Sequence, residues 1–151
     1  MRLFVAVNFS DNTISRLVAL RDELRSNSKS GNFTLIENLH LTLAFIGECN
    51  EKQAASIMSV MDTFRFATFD ITIDCIGRFK RNDGDVLWAG FAIEKRACSP
   101  HITIGRKVVT NAAPRNIKPF GETITGTDLM KSERVCGKLT YTVIHTKAAN
   151  E

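Results

Sequence analysis

A four-residue pattern of alternating polar and apolar residues occurs twice in the chain, as His40-Leu41-Thr42-Leu43 and as His101-Ile102-Thr103-Ile104. Alternation with a period of two predicts a β-strand that buries one face, so each copy projects a histidine and a threonine to the other side. The copies use two of the only three histidines, and chance places Thr in this way only about 3 times in 100. We therefore expect two strands facing each other across a groove, with two imidazoles and two hydroxyls around one small anionic group.

Length and charge limit the class of protein. The chain has 151 residues, 44% of them hydrophobic and 24% charged, which suits one compact domain with a core. The net charge of +4 mildly favours anionic partners and permits RNA without demonstrating it. No apolar run approaches the ~20 residues of a membrane span, and the first nine residues alternate like a strand rather than a signal peptide. We expect a soluble, cytoplasmic monomer with no membrane partner.

The four cysteines, Cys49, Cys75, Cys98 and Cys136, are widely spread and form no CxxC pair. This spacing suggests neither a zinc knuckle nor a redox motif. An even number leaves disulfides open, but without a secretion signal we favour reduced, structural cysteines.

The first half of the chain predicts the order β-α-β-β-α. Residues 2–9 alternate like a strand, and Ser10 stands where an N-cap would open a helix that runs through Leu24. The polar stretch 26–32 ends that helix, a strand over 33–36 follows, and the first histidine strand spans 39–46. Asn50 and Gln53 have the spacing of a capping arrangement for a second helix.

The second half predicts antiparallel strands. Residues 69–79 alternate, and Asn82-Asp83-Gly84 is a strong hairpin turn. Pro100 precedes the second histidine strand, and strands over 122–132 and 138–146 follow, joined near Cys136-Gly137. Because no helix of ordinary length is visible here, the fold class is α+β with mostly antiparallel sheet.

Two histidines that titrate near neutrality suit phosphodiester cleavage, since one can activate water while the other protonates the leaving alkoxide. The hydroxyls of Thr42 and Thr103 would donate hydrogen bonds to the phosphate oxygens, so no metal or other cofactor is required. A metal site is the weaker alternative, because neither motif carries the further Cys or carboxylate ligand that catalytic zinc needs. The chain contains no GxSxG sequence, so a nucleophilic serine is not suggested.

Residues 38–48 and 99–106 resemble the two signature motifs of the LigT-like RNA 2′,3′-cyclic phosphodiesterases, also called 2′-5′ RNA ligases, in the 2H phosphoesterase superfamily. Residues 2–7, 128–132 and 141–143 extend the similarity over nearly the whole chain. The resemblance implies a bilobal, pseudo-twofold fold with helices on the outer faces and a central cleft, to which each lobe contributes one motif strand. It implies RNA with a 2′,3′-cyclic phosphate end, or a related nucleotide, as the partner. Family members open that phosphate to a 2′-phosphate without metal, and some join or cleave 2′-5′ linkages.

By this resemblance His40 is the proton donor to the departing 3′ oxygen and His101 is the base for water. Arg106 matches a basic family position that contacts phosphate or nucleotide, and a solvated surface arginine is the alternative. Its strand parity is opposite to that of His101, so a bulge or the strand end must redirect it if it joins the site. Phe45 is a candidate for stacking on a base, but burial statistics favour a core position for it and for Trp88. We expect His145, which lacks the motif, to be structural or exposed.

The chain departs from the family at Gly90, which runs directly into Phe91 where relatives have a helix. We therefore expect a single domain over 1–151 whose second lobe lacks that helix, leaving its sheet uncovered there. Two rival functions stay open: a non-catalytic nucleotide- or RNA-binding module, and a phosphodiesterase for small cyclic phosphates or 2′-5′ oligonucleotides. A third reading takes the motif histidines as chance polar residues on half-exposed strands.

Overall fold

A computed structural model describes residues 1–91 and 100–150 of the chain. Within these ranges the chain forms two α-helices, a 3₁₀ turn over Ile36–Asn38 and nine β-strands. The helices are α1 (Asp11–Ser26) and α2 (Glu51–Thr63), and the strands are β1 (Arg2–Val7), β2 (Ser28–Phe33), β3 (Leu41–Glu48), β4 (Phe69–Phe79), β5 (Asp85–Gly90), β6 (His101–Thr110), β7 (Arg115–Ile124), β8 (Gly126–Val135) and β9 (Lys138–Ala148).

The strands lie in two sheets, with the orders β3-β1-β8-β9 and β2-β6-β5-β4-β7. The pairings β1–β8, β8–β9, β2–β6, β5–β6 and β4–β5 are antiparallel. The predicted α+β class with mostly antiparallel sheet is confirmed.

The chain divides into two compact units, each built from separate stretches of sequence. The first unit contains Met1–Asn8, Thr42–Asp70 and Thr123–Glu151. The second unit contains Phe9–Leu41 and Ile71–Glu122. Each unit therefore contains one of the two α-helices, α2 in the first and α1 in the second.

In the first unit, β1, β8 and α2 share one apolar cluster. Leu3 and Leu129 are fully buried there and are joined by Ala54 and Met61 of α2. The predicted cap of this helix is confirmed, because Asn50 Oδ1 accepts a hydrogen bond from Gln53 N (2.9 Å) and Gln53 Oε1 accepts one from Asn50 N (3.0 Å). The residues that begin α2 thus satisfy two of its free N–H groups themselves.

In the second unit, Ser10 is the N-cap of α1 as predicted, but its hydroxyl makes no cap hydrogen bond within the helix. The hydroxyl instead donates to Glu122 Oε2 (2.6 Å), and Ser10 N donates to both carboxylate oxygens of Glu122 (3.1 and 3.0 Å). A carboxylate from β7 therefore takes the position beside the helix N-terminus that the sequence assigned to a local serine, where negative charge is favourable.

The expected loss of a helix after Gly90 falls on residues 92–99, which lie outside the described residues, as does Cys98. The second unit does contain α1, whose Leu17 and Leu24 are fully buried. The helix is joined to the segment after β2 because Arg21 Nη1 donates a hydrogen bond to the carbonyl of Thr34 (2.9 Å).

Two predictions about strands were wrong, and both concern sheet edges. Strand β2 occupies Ser28–Phe33, where the sequence indicated a polar loop, and the predicted strand 33–36 gives way to the 3₁₀ turn. The predicted strand 122–132 is two strands, because β7 ends at Ile124 and β8 begins at Gly126. Both β2 and β7 are outermost in their sheet. An edge strand needs only backbone hydrogen bonds to one neighbour, so its side chains need not alternate.

The other predicted elements are confirmed within two residues: both helices, the first strand, β4, the hairpin turn before β5, and the turn at Cys136-Gly137. Cys49 and Cys75 are buried free thiols and Cys136 is an exposed one. Burial raises the pKa of the Cys75 thiol, which therefore stays protonated at neutral pH. Neither α1 nor α2 is long and apolar enough to cross a membrane.

Candidate active site

The second motif lies on β6, between β2 and β5 in the five-stranded sheet. Ile102 and Ile104 are fully buried, while His101 and Thr103 are half-buried on the opposite side, so the predicted alternation is confirmed here. In register with β5, His101 lies opposite Gly90 and Thr103 lies opposite Trp88. We call the side of this sheet that bears His101 and Thr103 the histidine face.

Aromatic rings hold the His101 imidazole on the histidine face. The ring stands edge-on to Phe79, with 5.1 Å between centroids and 80° between planes, and lies 6.0 Å from Trp88. The rings of Phe79 and Trp88 are themselves 5.5 Å apart. Such contacts fix the orientation of a ring beyond what burial alone does. Trp88, for which the sequence favoured a core position, is half-buried beside His101, and its indole nitrogen is buried.

Trp88 keeps this place because the neighbouring strand has no side chain beneath it. Gly77 on β4 is opposite Trp88, and a Cβ at that position would lie 2.1 Å from Trp88 Cζ2. Gly77 is therefore a packing requirement of the histidine face, which the sequence alone did not indicate.

His40 precedes β3 and is held by the backbone rather than by aromatic rings. Its Nδ1 lies 2.8 Å from the carbonyl oxygen of Asn38. A carbonyl only accepts hydrogen bonds, so Nδ1 carries the proton and Nε2 is the nitrogen that exchanges protons with a ligand. The 3₁₀ turn fixes this carbonyl, because Asn38 N donates to Leu35 O (2.9 Å) and Leu39 N donates to Ile36 O (3.2 Å).

The electrostatic surroundings of His40 favour its neutral form. Burial lowers the pKa of His40, the hydrogen bond to Asn38 opposes this, and the positive charge of Arg106 lowers the pKa further. Arg106 itself is exposed. Arg106 therefore lies close enough to His40 for its charge to act on the imidazole.

Two residues that support the second motif were missed by the sequence reading. Thr34 Oγ1 donates to the carbonyl of Thr103 (2.9 Å), and Thr34 N donates to the carbonyl of Ile104 (2.8 Å). Arg21, only 7% exposed, donates in turn to the carbonyl of Thr34. The burial of Arg21 could have been predicted from the sequence of α1. Arg21 is four residues after Leu17 and three before Leu24, so it lies on the same apolar face of the helix.

The remaining candidates, Thr42 and Phe45, lie on β3 in the first unit, whereas His40, His101, Thr103 and Arg106 are in the second. Phe45 is 61% exposed with the Arg2 guanidinium 4.9 Å above its ring, so the expectation of a core position was wrong. Leu43 was predicted to share the buried face of Leu41 but is 43% exposed. Both differences arise because β3 is the outer strand of its sheet and has a neighbour on one side only.

His145 has a structural role, as predicted. Its Nε2 lies 2.8 Å from Asp62 Oδ1, which joins β9 to α2 in the first unit. Within residues 1–91 and 100–150, no three His, Cys, Asp or Glu side chains form a group that could hold a metal ion.

Comparison with known proteins identifies the family of this chain. Residues 7–88 match the family model of the LigT-like phosphoesterases. A relative from Aeropyrum pernix named RNA 2′,3′-cyclic phosphodiesterase is 31% identical over 133 residues, covering 72% of this chain and 76% of the relative. A protein of the same name from Archaeoglobus fulgidus is 36% identical over 92 residues, covering 60% of this chain and 51% of the relative.

Solved structures show the same fold. The crystal structure of E. coli LigT complexed with 3′-AMP superimposes with a TM-score of 0.83 and 24% identity, over 99% of this chain and 98% of the E. coli chain. The family match covers more than half of the sequence and includes the first motif. This chain therefore belongs to the LigT-like phosphoesterase family.

Proposed function

We propose that the chain hydrolyses the 2′,3′-cyclic phosphate at the end of RNA to a 2′-phosphate, the activity named for its relatives. In this reaction His40 is the proton donor and His101 the proton acceptor, and neither a metal nor another cofactor takes part. The observation that carries the proposal is the presence of both motif histidines in one unit, with Nδ1 of His40 held by the Asn38 carbonyl so that Nε2 is the nitrogen that exchanges a proton with the substrate. Two such imidazoles form a complementary acid–base pair at the pH of a cell.

The reaction consumes one water. His101 takes a proton from the water as its oxygen attacks phosphorus. The bond between phosphorus and the 3′ oxygen then breaks, and that oxygen takes the proton from Nε2 of His40. The ester to the 2′ oxygen stays intact, which gives a 2′-phosphate, and exchange with solvent returns both histidines to their starting states.

The proton donor must be charged before it acts, although burial and Arg106 lower the pKa of His40 in the free protein. A bound phosphodiester carries a negative charge, which favours the imidazolium and offsets the guanidinium. Substrate binding thus raises the protonated fraction of His40 at the moment the proton is needed.

The other candidates bind the substrate in this proposal. The hydroxyls of Thr42 and Thr103 donate to the non-bridging phosphate oxygens, where charge increases in the transition state. Arg106 contacts the phosphate, which is supported by its exposure and by the effect of its charge on the pKa of His40. Phe45 supplies a stacking surface for a base, and its 61% exposure supports this.

The test is hydrolysis, in EDTA, of an RNA ending in a 2′,3′-cyclic phosphate and of a simple 2′,3′-cyclic nucleotide. The proteins are the wild type, His40→Ala and His101→Ala, with His145→Gln as the matched control for a histidine outside the motifs. We expect turnover to 2′-phosphate in the wild type and the control, and a loss of roughly 10²- to 10⁴-fold in each motif variant.

Four outcomes contradict parts of the proposal. Full activity in either motif variant contradicts the two-histidine mechanism, and loss of turnover in EDTA contradicts metal independence. Nucleotide binding by folded wild type without any turnover favours the non-catalytic binding module. Preference for the small nucleotide over RNA, with rates insensitive to salt, favours a small cyclic phosphate as the substrate. Adding RNA with a 5′-hydroxyl to the same assay tests whether the chain also joins 2′-5′ linkages.

A further inference from the structure

Strand β6 does not keep its alternation beyond Thr103. Regular alternation would place Arg106 on the buried side with Ile102, Ile104 and Val108. The structure instead has two consecutive buried residues, Ile104 and Gly105, followed by two consecutive exposed residues, Arg106 and Lys107, before Val108 is buried again. The strand therefore changes face once before Arg106 and once after it.

The register with β5 locates these two changes. Trp88 pairs with Thr103, Leu87 with Gly105, and Asp85 with Val108. From the first pair to the last, β6 advances five residues while β5 advances three, so β6 contains two extra residues. An extra residue on one strand of an antiparallel pair is a β-bulge, which bends the strand and redirects a side chain. One bulge lies at Ile104-Gly105 and the other at Arg106-Lys107.

The residues at and beside the two bulges are compatible with the unusual backbone that the bulges require. Lys107 has a φ of +53°, a left-handed conformation that residues other than glycine and asparagine seldom adopt. Gly84 makes this possible, since a Cβ there would lie 2.6 Å from the carbonyl carbon of Lys107. Gly105 is the second buried residue of its bulge, and a Cβ there would lie 3.0 Å from Val108 Cγ2 and 3.2 Å from Phe33 Cδ1.

We infer that this pair of bulges is the device that turns Arg106 away from the apolar side of the sheet to the histidine face, and that Lys107 is a positioning residue that acts through Arg106. The inference rests on the proposed function, in which Arg106 contacts the phosphate. The Lys107 side chain is not itself required, because it is 63% exposed and its ammonium is 3.6 Å from Asp83 Oδ2. What matters at position 107 is the left-handed backbone.

The test compares Lys107→Asn with Lys107→Val. Both substitutions remove the charge and the ion pair with Asp83, but Asn tolerates the left-handed conformation and a β-branched Val does not. We expect Lys107→Val to lose about 10-fold in kcat/KM for the cyclic phosphate, in the direction of Arg106→Ala, and Lys107→Asn to stay within about twofold of wild type. In the Arg106→Ala background Lys107→Val should have no further effect, because the residue it positions is absent.

A second measurement does not depend on activity or on the Val variant folding. The NMR titration of His40 should move in the same direction in Lys107→Ala as in Arg106→Ala, and should stay at the wild-type position in Lys107→Gly. Additive losses in the double variant, or wild-type titration of His40 in Lys107→Ala, would overturn the inference. An Arg106→Ala variant with full activity would instead overturn the phosphate contact in the proposed function, while the titration still tests the bulges.

Discussion

The two copies of the histidine pattern are nearly identical in sequence, yet different forces hold them. On β6 the pattern lies between two neighbouring strands, and both isoleucines are fully buried. On β3, an outer strand, Leu41 is 3% exposed but Leu43 is 43% exposed. His101 is packed against Phe79 and Trp88, whereas His40 is fixed by a hydrogen bond to the Asn38 carbonyl. The four-residue pattern thus specifies which side chains are present, and the position of each strand in its sheet decides which contacts fix them.

The largest expected effect tests the difference in burial between the two strands. Ile104→Ala removes a fully buried side chain and should lower the free energy of unfolding by about 2–5 kcal/mol. Leu43→Ala, the corresponding change on β3, should cost less than about 1 kcal/mol because Leu43 is already exposed. Urea denaturation of both variants measures the two values. Equal losses would show that β3 is covered in solution and would remove the contrast.

The next variant disrupts the aromatic packing around His101, which has no counterpart at His40. Gly77→Ala places a Cβ where the Trp88 ring lies, and we expect a loss of about 1–3 kcal/mol in stability together with a fall in kcat. Pairing it with Trp88→Phe should restore part of both losses, since the smaller ring leaves room for the new methyl group. Thermal denaturation and steady-state kinetics give the two readouts. A double variant no better than Gly77→Ala alone would contradict this role for Gly77.

A third prediction concerns only His40. Removing the guanidinium in Arg106→Ala should raise the pKa of His40, because a positive neighbour that disfavours the imidazolium is gone. As a proton donor His40 works below its pKa, so the alkaline limb of kcat/KM should move to higher pH while the maximum rate falls. The control is Arg115→Ala, which removes an arginine paired with Glu23. A pH profile that moves equally in both variants would point to net charge rather than to Arg106.

The smallest effect concerns the N-termini of the two helices. Helix α2 is capped by its own neighbouring residues, whereas α1 is capped by Glu122, which is distant in sequence. Burial raises the pKa of Glu122, but hydrogen bonds from Ser10 and Thr13 outweigh it and lower the pKa overall. A carboxyl whose pKa is lowered by folding stabilises the protein above its unfolded pKa, and that stabilisation is lost as the pH falls through the folded value. Glu122→Gln should therefore lower Tm modestly at pH 7 and by less near pH 3. Gln53→Ala, at the local cap of α2, should show no such pH dependence.

The sequence predicted the elements whose signals are local. Helix α2 was readable because Asn50 and Gln53 cap it themselves, and β4 because its residues alternate. Strand β2 was not readable, since its partner β6 is more than 70 residues away and its exposed residues carry no pattern. The bend that redirects Arg106 was anticipated only as a requirement, because bulges depend on the register between strands.

By itself the sequence determined the fold class, the histidine strand β6 and the phosphoesterase family, because alternation, caps and motifs are properties of neighbouring residues. Only the tertiary structure decided which nitrogen of His40 carries the proton, that Phe79 and Trp88 flank His101, and that the charge of Arg106 acts on His40. These facts depend on residues distant in the chain that meet through strand pairing. Pairing is set by the burial and hydrogen bonding of the whole sheet, which no single stretch of sequence contains.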